Sequence, residues 1–264
     1  MEKKLSVITV CYNAGDDLAK TVQSVLSQTE TDFEYIIQDG GSTDGSIEHL
    51  PIDDRIRLFQ MNDKGVFDAM NKALEVATGD YVNFLNAGDT YFSKDVLSRV
   101  YKEFKLNPDV EFFYGNFYKM KSKAGFISAP SKLSRYYLFT HSLCHQAWFL
   151  DRSIQLNIGG YSTETRIGGD YLMLLDLVIG RKVKTKKIKA FLVKYQGGGL
   201  SSREEEIVES ETIRTSKRME LFSNAECTCY SMVWKTRSYL KIVLYDKYIY
   251  NIFRKILTMR YKEF

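Results

Sequence analysis

The sequence predicts an α/β fold: a mixed, mainly parallel sheet flanked by helices over residues 1–200, followed by a helical extension over 201–264. Three observations carry this reading. Between residues 5 and 90, short apolar runs alternate with segments of helical periodicity. The polar clusters rich in Asp, Asn and Gly fall at the ends of the strand-like runs. A chain of 264 residues with 44% hydrophobic side chains and only three prolines can bury a sizeable core and has no composition for long disordered linkers.

The elements follow in order. "LSVITVCY" is a buried-strand run, and "DDLAKTVQSVLSQ" places Leu18, Val22, Val25 and Leu26 at helical spacing. "FEYIIQD" reads as a strand, "STDGSIEHL" as a short helix opened by capping residues, and "RIRLFQM" as a strand. "VFDAMNKALEVA" is a helix and "YVNFLN" a strand. Alternation at this rhythm implies βαβ units, a parallel sheet and helices on both faces. After a helix over "KDVLSRVYKEF" the pattern changes: "VEFFYGNFYKM" and "AGFISAP" are strands about the polar turn "KSKAG", an antiparallel addition. "SLCHQAWFLDR" is strand-like, "GGDYLMLLDLVIG" a helix opened by a Gly-Gly-Asp turn, and "VKTKKIKAFLVKYQGGG" a basic strand. "SSREEEIVESETIRTSKRMELF" is helical, with acids in its first turn and bases in its last, and the C-terminal segment is helical as well.

Several classes are excluded. The apolar run of "MEKKLSVITV" leads into Cys11 and Asn13 with no cleavage site, so it is a first strand and no signal peptide. No apolar stretch approaches the ~20 residues of a membrane span. The expected location is therefore cytoplasmic, on or near the inner face of the membrane. Cys11, Cys144, Cys227 and Cys229 form no CxxC pair and suit reduced, mostly buried thiols. The net charge of +4 is uneven: residues 230–264 carry +6, leaving about −2 on the rest, so the body is no nucleic-acid-binding surface.

In a parallel sheet, ligands bind beyond the carboxyl ends of the strands. Here "CYNAGDD", "QDGGSTDGS", "MNDKG" and "NAGDT" gather at those ends. Taken alone, "QDGGSTDGS" is equally a tight turn with an Asp helix cap, and "NAGD" equally a plain turn. The ordered set "DGGSTDGS", "DKGVFDAMNKAL" and "GDYVNFLNAGD" resembles inverting glycosyltransferases of the family 2 type, which have the GT-A fold. It is closest to a subgroup acting on lipid-linked saccharides in bacterial surface-polysaccharide assembly, with NAGD in place of the usual Asp-x-Asp-Asp. The resemblance covers about residues 5–200, with a nucleotide half over 1–92 and an acceptor half over 93–200.

That resemblance implies roles. Val10, Tyr12 and Asp39 would grip the uracil of a UDP-sugar, although the usual second Asp of the loop is here Gly40. Asp68 and Asn71 would face the nucleotide-sugar, a helix-surface carboxylate being the rival reading of Asp68. Asn86 and Ala87 would lie on the ribose side. Asp89 would hold Mn²⁺ or Mg²⁺ as the turn's only carboxylate, since a hard cation can be bound through one or two carboxylates plus substrate phosphates and water. Asp170 would be the base that deprotonates the acceptor. His145 and Gln146 would contact sugar or acceptor, or else be structural, and Gly197 to Ser201 would be a mobile loop or a flexible turn.

In the tail, Tyr245, Ile249, Ile252, Ile256 and Met259 form an apolar stripe beside basic and aromatic residues. This suits a membrane interface and equally a packed or dimeric helix. The expected reaction is transfer of a hexose from a UDP-sugar to a polyprenyl-diphosphate-linked saccharide. Two rivals are a non-catalytic sugar-nucleotide-binding scaffold and a sugar-1-phosphate nucleotidyltransferase; the acidic "CYNAGDD" argues against the latter.

Overall fold

The computed structural model describes residues 4–121 and 124–197, together with 223–226, 228, 229, 231, 232, 235 and 236. Strands β1 (Leu5–Cys11), β2 (Phe33–Asp39), β3 (Ile56–Gln60) and β4 (Tyr81–Phe84) form the parallel part of the sheet, in the order β3-β2-β1-β4. Beyond β4 the sheet turns antiparallel with β8 (Trp148–Asp151), then continues through β6 (Phe112–Lys119) and β9 (Thr185–Tyr195) to the short β5 (Thr90–Tyr91). β7 (Gly125–Ile127) pairs antiparallel with β6, as the polar turn between them predicts. The mixed sheet flanked by helices matches the expected fold class.

Period-two alternation fills both faces of the sheet. Along β1, Ile8 and Val10 enter a core with Ile36, Met70, Leu74 and Leu175. Leu5, Val7 and Cys11 enter the opposite core with Tyr35, Leu18, Val22 and Phe104. Helix α2 (Val66–Val76) covers the first face, and α1 (Asp16–Leu26) and α3 (Val96–Leu106) cover the second. Because β1 is buried on both sides, its sequence is a continuous apolar run relieved by small polar residues. Thr9 donates to the Leu85 carbonyl at 2.8 Å, so its hydroxyl costs little when buried.

The remaining helices are short: α4 (Arg135–Thr140), α5 (Arg152–Asn157) and α6 (Gly169–Leu175). The helix expected over "GGDYLMLLDLVIG" ends its regular turns at Leu175 and runs on as a wider turn over Asp176–Gly180. "SLCHQAWFLDR" divides into a 3-10 turn, His145–Ala147, and the strand β8. The short helix expected over "STDGSIEHL" does not form. Asp44 instead accepts from the Ser46 and Gly15 N–H groups, Gly41 and Gly45 take φ of 93° and 79°, and Pro51 follows. The capping residues close a turn, and the proline disfavours helical geometry in the residue before it.

The helix expected over 201–222 and most of the apolar tail lie outside the described residues. Described positions between 224 and 236 are helical, and Glu226 pairs with Arg135 of α4 at 2.8 Å. Among the described residues no helix is long and apolar enough to cross a membrane.

Gly79, just ahead of β4, is required by a close approach of backbone. A Cβ there would lie 2.6 Å from the Ser6 N atom and 2.8 Å from the Leu5 carbonyl carbon. Gly79→Ala is therefore expected to lower stability by about 1–3 kcal/mol in urea denaturation, since backbone rather than a flexible side chain must yield.

Candidate active site

The register of the parallel strands brings the predicted residues to one edge. Cys11 lies beside Asp39, and Asp39 beside Gln60, so the loops after β1, β2 and β3 open together. Asp39 is fully buried and accepts from the Ser42 N–H at 3.1 Å and from the Ser42 hydroxyl. Tyr12 is 66% exposed over this loop. The Val10 side chain lies in the core, which leaves only its backbone to face a ligand. At Gly40 a Cβ would fall 2.4 Å from Asp63 Oδ2, so the family's second Asp would displace the Asp63 side chain and meet a like charge.

Two residues expected on the donor have other tasks. Asn71 accepts from the Tyr161 N–H at 2.7 Å and donates to the Tyr161 carbonyl at 2.8 Å, clamping a segment ninety residues away. Each end of its amide makes one hydrogen bond, and its second amide hydrogen and second oxygen lone pair are not used by these contacts. Asp68, in the first turn of α2, accepts from the Lys64 N–H at 2.9 Å and pairs with Lys72 at 2.9 Å. The Lys72 ammonium holds its carboxyl below the usual range. It is a helix-surface carboxylate.

The turn after β4 is built around Asp89. One carboxylate oxygen accepts from Gln146 Nε2 and the other from the Gln196 N–H, each at 2.8 Å. Thr21 donates to the Asp89 carbonyl at 2.8 Å and accepts from the Gly88 N–H at 2.9 Å, seating the turn on α1. Gly88 takes φ of 96°, and a Cβ there would lie 2.2 Å from Gln196 Oε1. Ala87 packs against the core on the α1 side. Gln146 is buried beneath the turn, its Oε1 taking the Cys144 thiol at 3.0 Å while its Nε2 supports Asp89.

Asp89 is 4% exposed and both its oxygens already accept hydrogen bonds from the protein. The place of the family's third-position carboxylate is taken by Gln196. Among the described residues no cluster of three or more His, Cys, Asp or Glu is disposed to hold an ion. Each Asp89 oxygen accepts one hydrogen bond and keeps a further lone pair, so these contacts fix the carboxylate in place without excluding Mn²⁺ or Mg²⁺ bound together with substrate phosphates and water. Gln196 and Thr21 were missed because their role lies in contacts made across the fold.

Opposite the turn stands Asp170. Gly169 ahead of it lets α6 approach the Phe67 ring, where a Cβ would come within 2.8 Å. Helix α6 opens at Gly168, which puts Asp170 within its first turn and not at the cap. Asp170 Oδ2 lies 2.9 Å from His145 Nδ1, and His145 Nε2 lies 3.2 Å from Asn86 Nδ2. The fold thus joins three of the expected residues, Asn86, His145 and Asp170, in one chain. Gly197 follows β9 with φ of 76°, while the rest of the expected mobile loop, through Ser201, lies outside the described residues.

A half-open mixed sheet with its polar loops at the carboxyl edge and a carboxylate facing them defines a GT-A glycosyltransferase. The chain belongs to glycosyl transferase family 2, whose family model matches residues 6–160. It is 30% identical over 215 residues to a PGL/p-HBAD biosynthesis glycosyltransferase of Mycobacterium bovis, covering 79% of this chain and 82% of that one. Among solved structures it resembles S. aureus TarS 1-349 in complex with UDP-GlcNAc, with TM-score 0.69 and 17% identity over 87% of this chain and 70% of that one. It also resembles mannosyltransferase PcManGT from Pyrobaculum calidifontis in complex with GDP-Man and Mn²⁺, with TM-score 0.62 and 15% identity over 85% and 66% of the two chains. GT-A enzymes commonly use divalent metals, and that neighbour was solved with one.

Burial raises the Asp89 carboxyl to about 6 from an ordinary 3.8. A carboxyl raised on folding stabilises the fold when protonated, so its contribution grows as pH falls from above 6 towards 4 and is lost as pH rises through 6. Asp89→Asn should flatten that dependence, changing the pH 4 to pH 7 difference in unfolding free energy by about 3 kcal/mol in urea titrations. Asn71→Ala is expected to lower stability by about 2 kcal/mol in the same titrations.

Proposed function

We propose that this glycosyltransferase moves a hexose from a UDP-sugar to a polyprenyl-diphosphate-linked saccharide with inversion, in polysaccharide biosynthesis of the O-antigen or capsule type. The observation that carries the reading is Asp170, held 2.9 Å from His145 across from the strand-end loops. The UDP donor draws support from the TarS structures with UDP-GlcNAc and UDP, and Tyr12 supplies an exposed aromatic face at the uracil end, over the loop that Asp39 organises through Ser42. Work at the inner face of the cytoplasmic membrane is proposed on the basic, aromatic tail, whose lysines and arginines contribute about 1 kcal/mol each near anionic lipid.

The chemistry follows from the carboxylate. The acceptor O–H proton passes to Asp170 as the oxygen bonds to the anomeric carbon from the face opposite the diphosphate. The anomeric C–O bond breaks and its electron pair leaves with UDP. The residues of the chain orient and deprotonate; Asp89 would hold an Mn²⁺ or Mg²⁺ ion, which would supply charge stabilisation for the leaving diphosphate.

The test is a UDP-release assay with a synthetic polyprenyl-diphosphate saccharide, with GDP-sugars run alongside. Asp170→Asn should lower kcat by about 10²- to 10⁴-fold with an unchanged melting temperature. Near-normal transfer by that variant would remove Asp170 from the role, and UDP binding with no turnover on any acceptor would favour the scaffold reading.

A further inference from the structure

Asn86 stands where the family commonly has Asp, and its neighbour suggests why. Asn86 Nδ2 lies 3.2 Å from His145 Nε2, and with the amide in this orientation the nitrogen donates and the ring nitrogen accepts. The ring proton of the neutral imidazole then sits on Nδ1 and is donated to Asp170 Oδ2 at 2.9 Å. The reverse amide orientation would call for a proton on Nε2. A neutral ring would then face the carboxylate with a bare Nδ1, two lone pairs at hydrogen-bond distance.

We propose that Asn86 sets the tautomer of His145, and that His145 is thereby a positioning residue that holds Asp170 aimed at the acceptor. This rests on the assignment of Asp170 as the base. His145 cannot be the base itself, since its Nε2 lone pair is engaged by Asn86 and its Nδ1 hydrogen by Asp170. Asp170 keeps further lone pairs for the acceptor hydroxyl: Oδ1 takes only the Tyr171 N–H, at 2.8 Å, and Oδ2 takes the ring. Asn86 Oδ1 is a second independent mark of the site, a buried acceptor with no partner among the described residues. Such an atom costs about 1–3 kcal/mol, and a hydroxyl of the bound nucleotide-sugar would relieve it. Donor binding then locks the amide in the orientation that sets the ring, and so readies the base.

An Asp at position 86 would reverse this. It could only accept, so Nε2 would have to carry a proton as well, leaving a doubly protonated imidazole bridging two carboxylates. A Gln at position 145 preserves the polarity, since its amide can donate to Asp170 and accept from Asn86.

The test uses the full chain labelled with ¹⁵N-histidine, with the His145 signals among the three histidines assigned by their loss in His145→Gln. Two-bond nitrogen–proton spectra should show the wild-type ring protonated on Nδ1 alone. Asn86→Asp should bring a proton onto Nε2 and lower kcat on the order of ten- to a hundredfold, as expected when a reacting group is displaced. His145→Ala should lower kcat by a similar factor with little change in donor KM, and His145→Gln should recover at least about tenfold of that loss. A wild-type ring protonated on Nε2, an unaltered ring spectrum in Asn86→Asp, or a His145→Gln variant that folds like wild type yet is no better than His145→Ala would each overturn the proposal. The spectra are independent of turnover. A base misassigned to Asp170 would therefore show as retained transfer in Asp170→Asn with the tautomer intact.

Discussion

The two hydrogen bonds of the buried Asp89 carboxylate hold the edge of the sheet in place. One ties the turn after β4 to the 3-10 turn that carries His145, through Gln146; the other ties it to the end of β9, through the Gln196 N–H. A carboxylate taken from water is costly unless its oxygens find donors, and here two segments more than fifty residues away supply them. The arrangement fixes three chain segments relative to one another at the point where the loops gather. Asn83 reinforces it from the strand below, donating to the Gln146 and Trp148 carbonyls while accepting from Tyr91. The spacing from turn to His145, and so to Asp170, follows from this scaffold.

Much of the fold was legible because it depends on local period. The runs that became β1, β2 and β4 are buried on both faces and so read as continuous apolar strands, and α1, α2 and α3 show their buried stripes directly. The loop after β2 misled because Ser, Thr and Asp open helices and turns by the same hydrogen bonds; only the glycines with positive φ and the following proline decide between them. The grouping of Asn86, His145 and Asp170 was present in the sequence only as separate motifs with separate roles. Their mutual contact depends on β8 entering antiparallel beside β4, and no local pattern encodes that pairing.

Several of the expected site residues also hold the fold together. Asn71, Gln146 and Asp89 are polar groups read from the sequence as facing ligand or ion, and each also makes hydrogen bonds to backbone or to one another. Motif position identifies a polar residue near a site but does not say which of its atoms are already committed. Counting those commitments separates the residues that build the cleft from those left to act in it. By that count Tyr12, with its exposed ring, and Asp170, with its open lone pairs, remain available, and Asn86 keeps one oxygen unclaimed among the described residues.

The replacement of the family's acidic turn also alters the field that an incoming anion meets. Asp-x-Asp-Asp would put three negative charges at the mouth of the cleft, whereas Asn86 and Gly88 are neutral and Asp89, buried, carries less than a full charge near pH 6. A diphosphate approaching this edge is repelled less before any counter-ion is considered. Its capture then depends less on screening by dissolved salt, which weakens only those interactions whose charges stand in solvent.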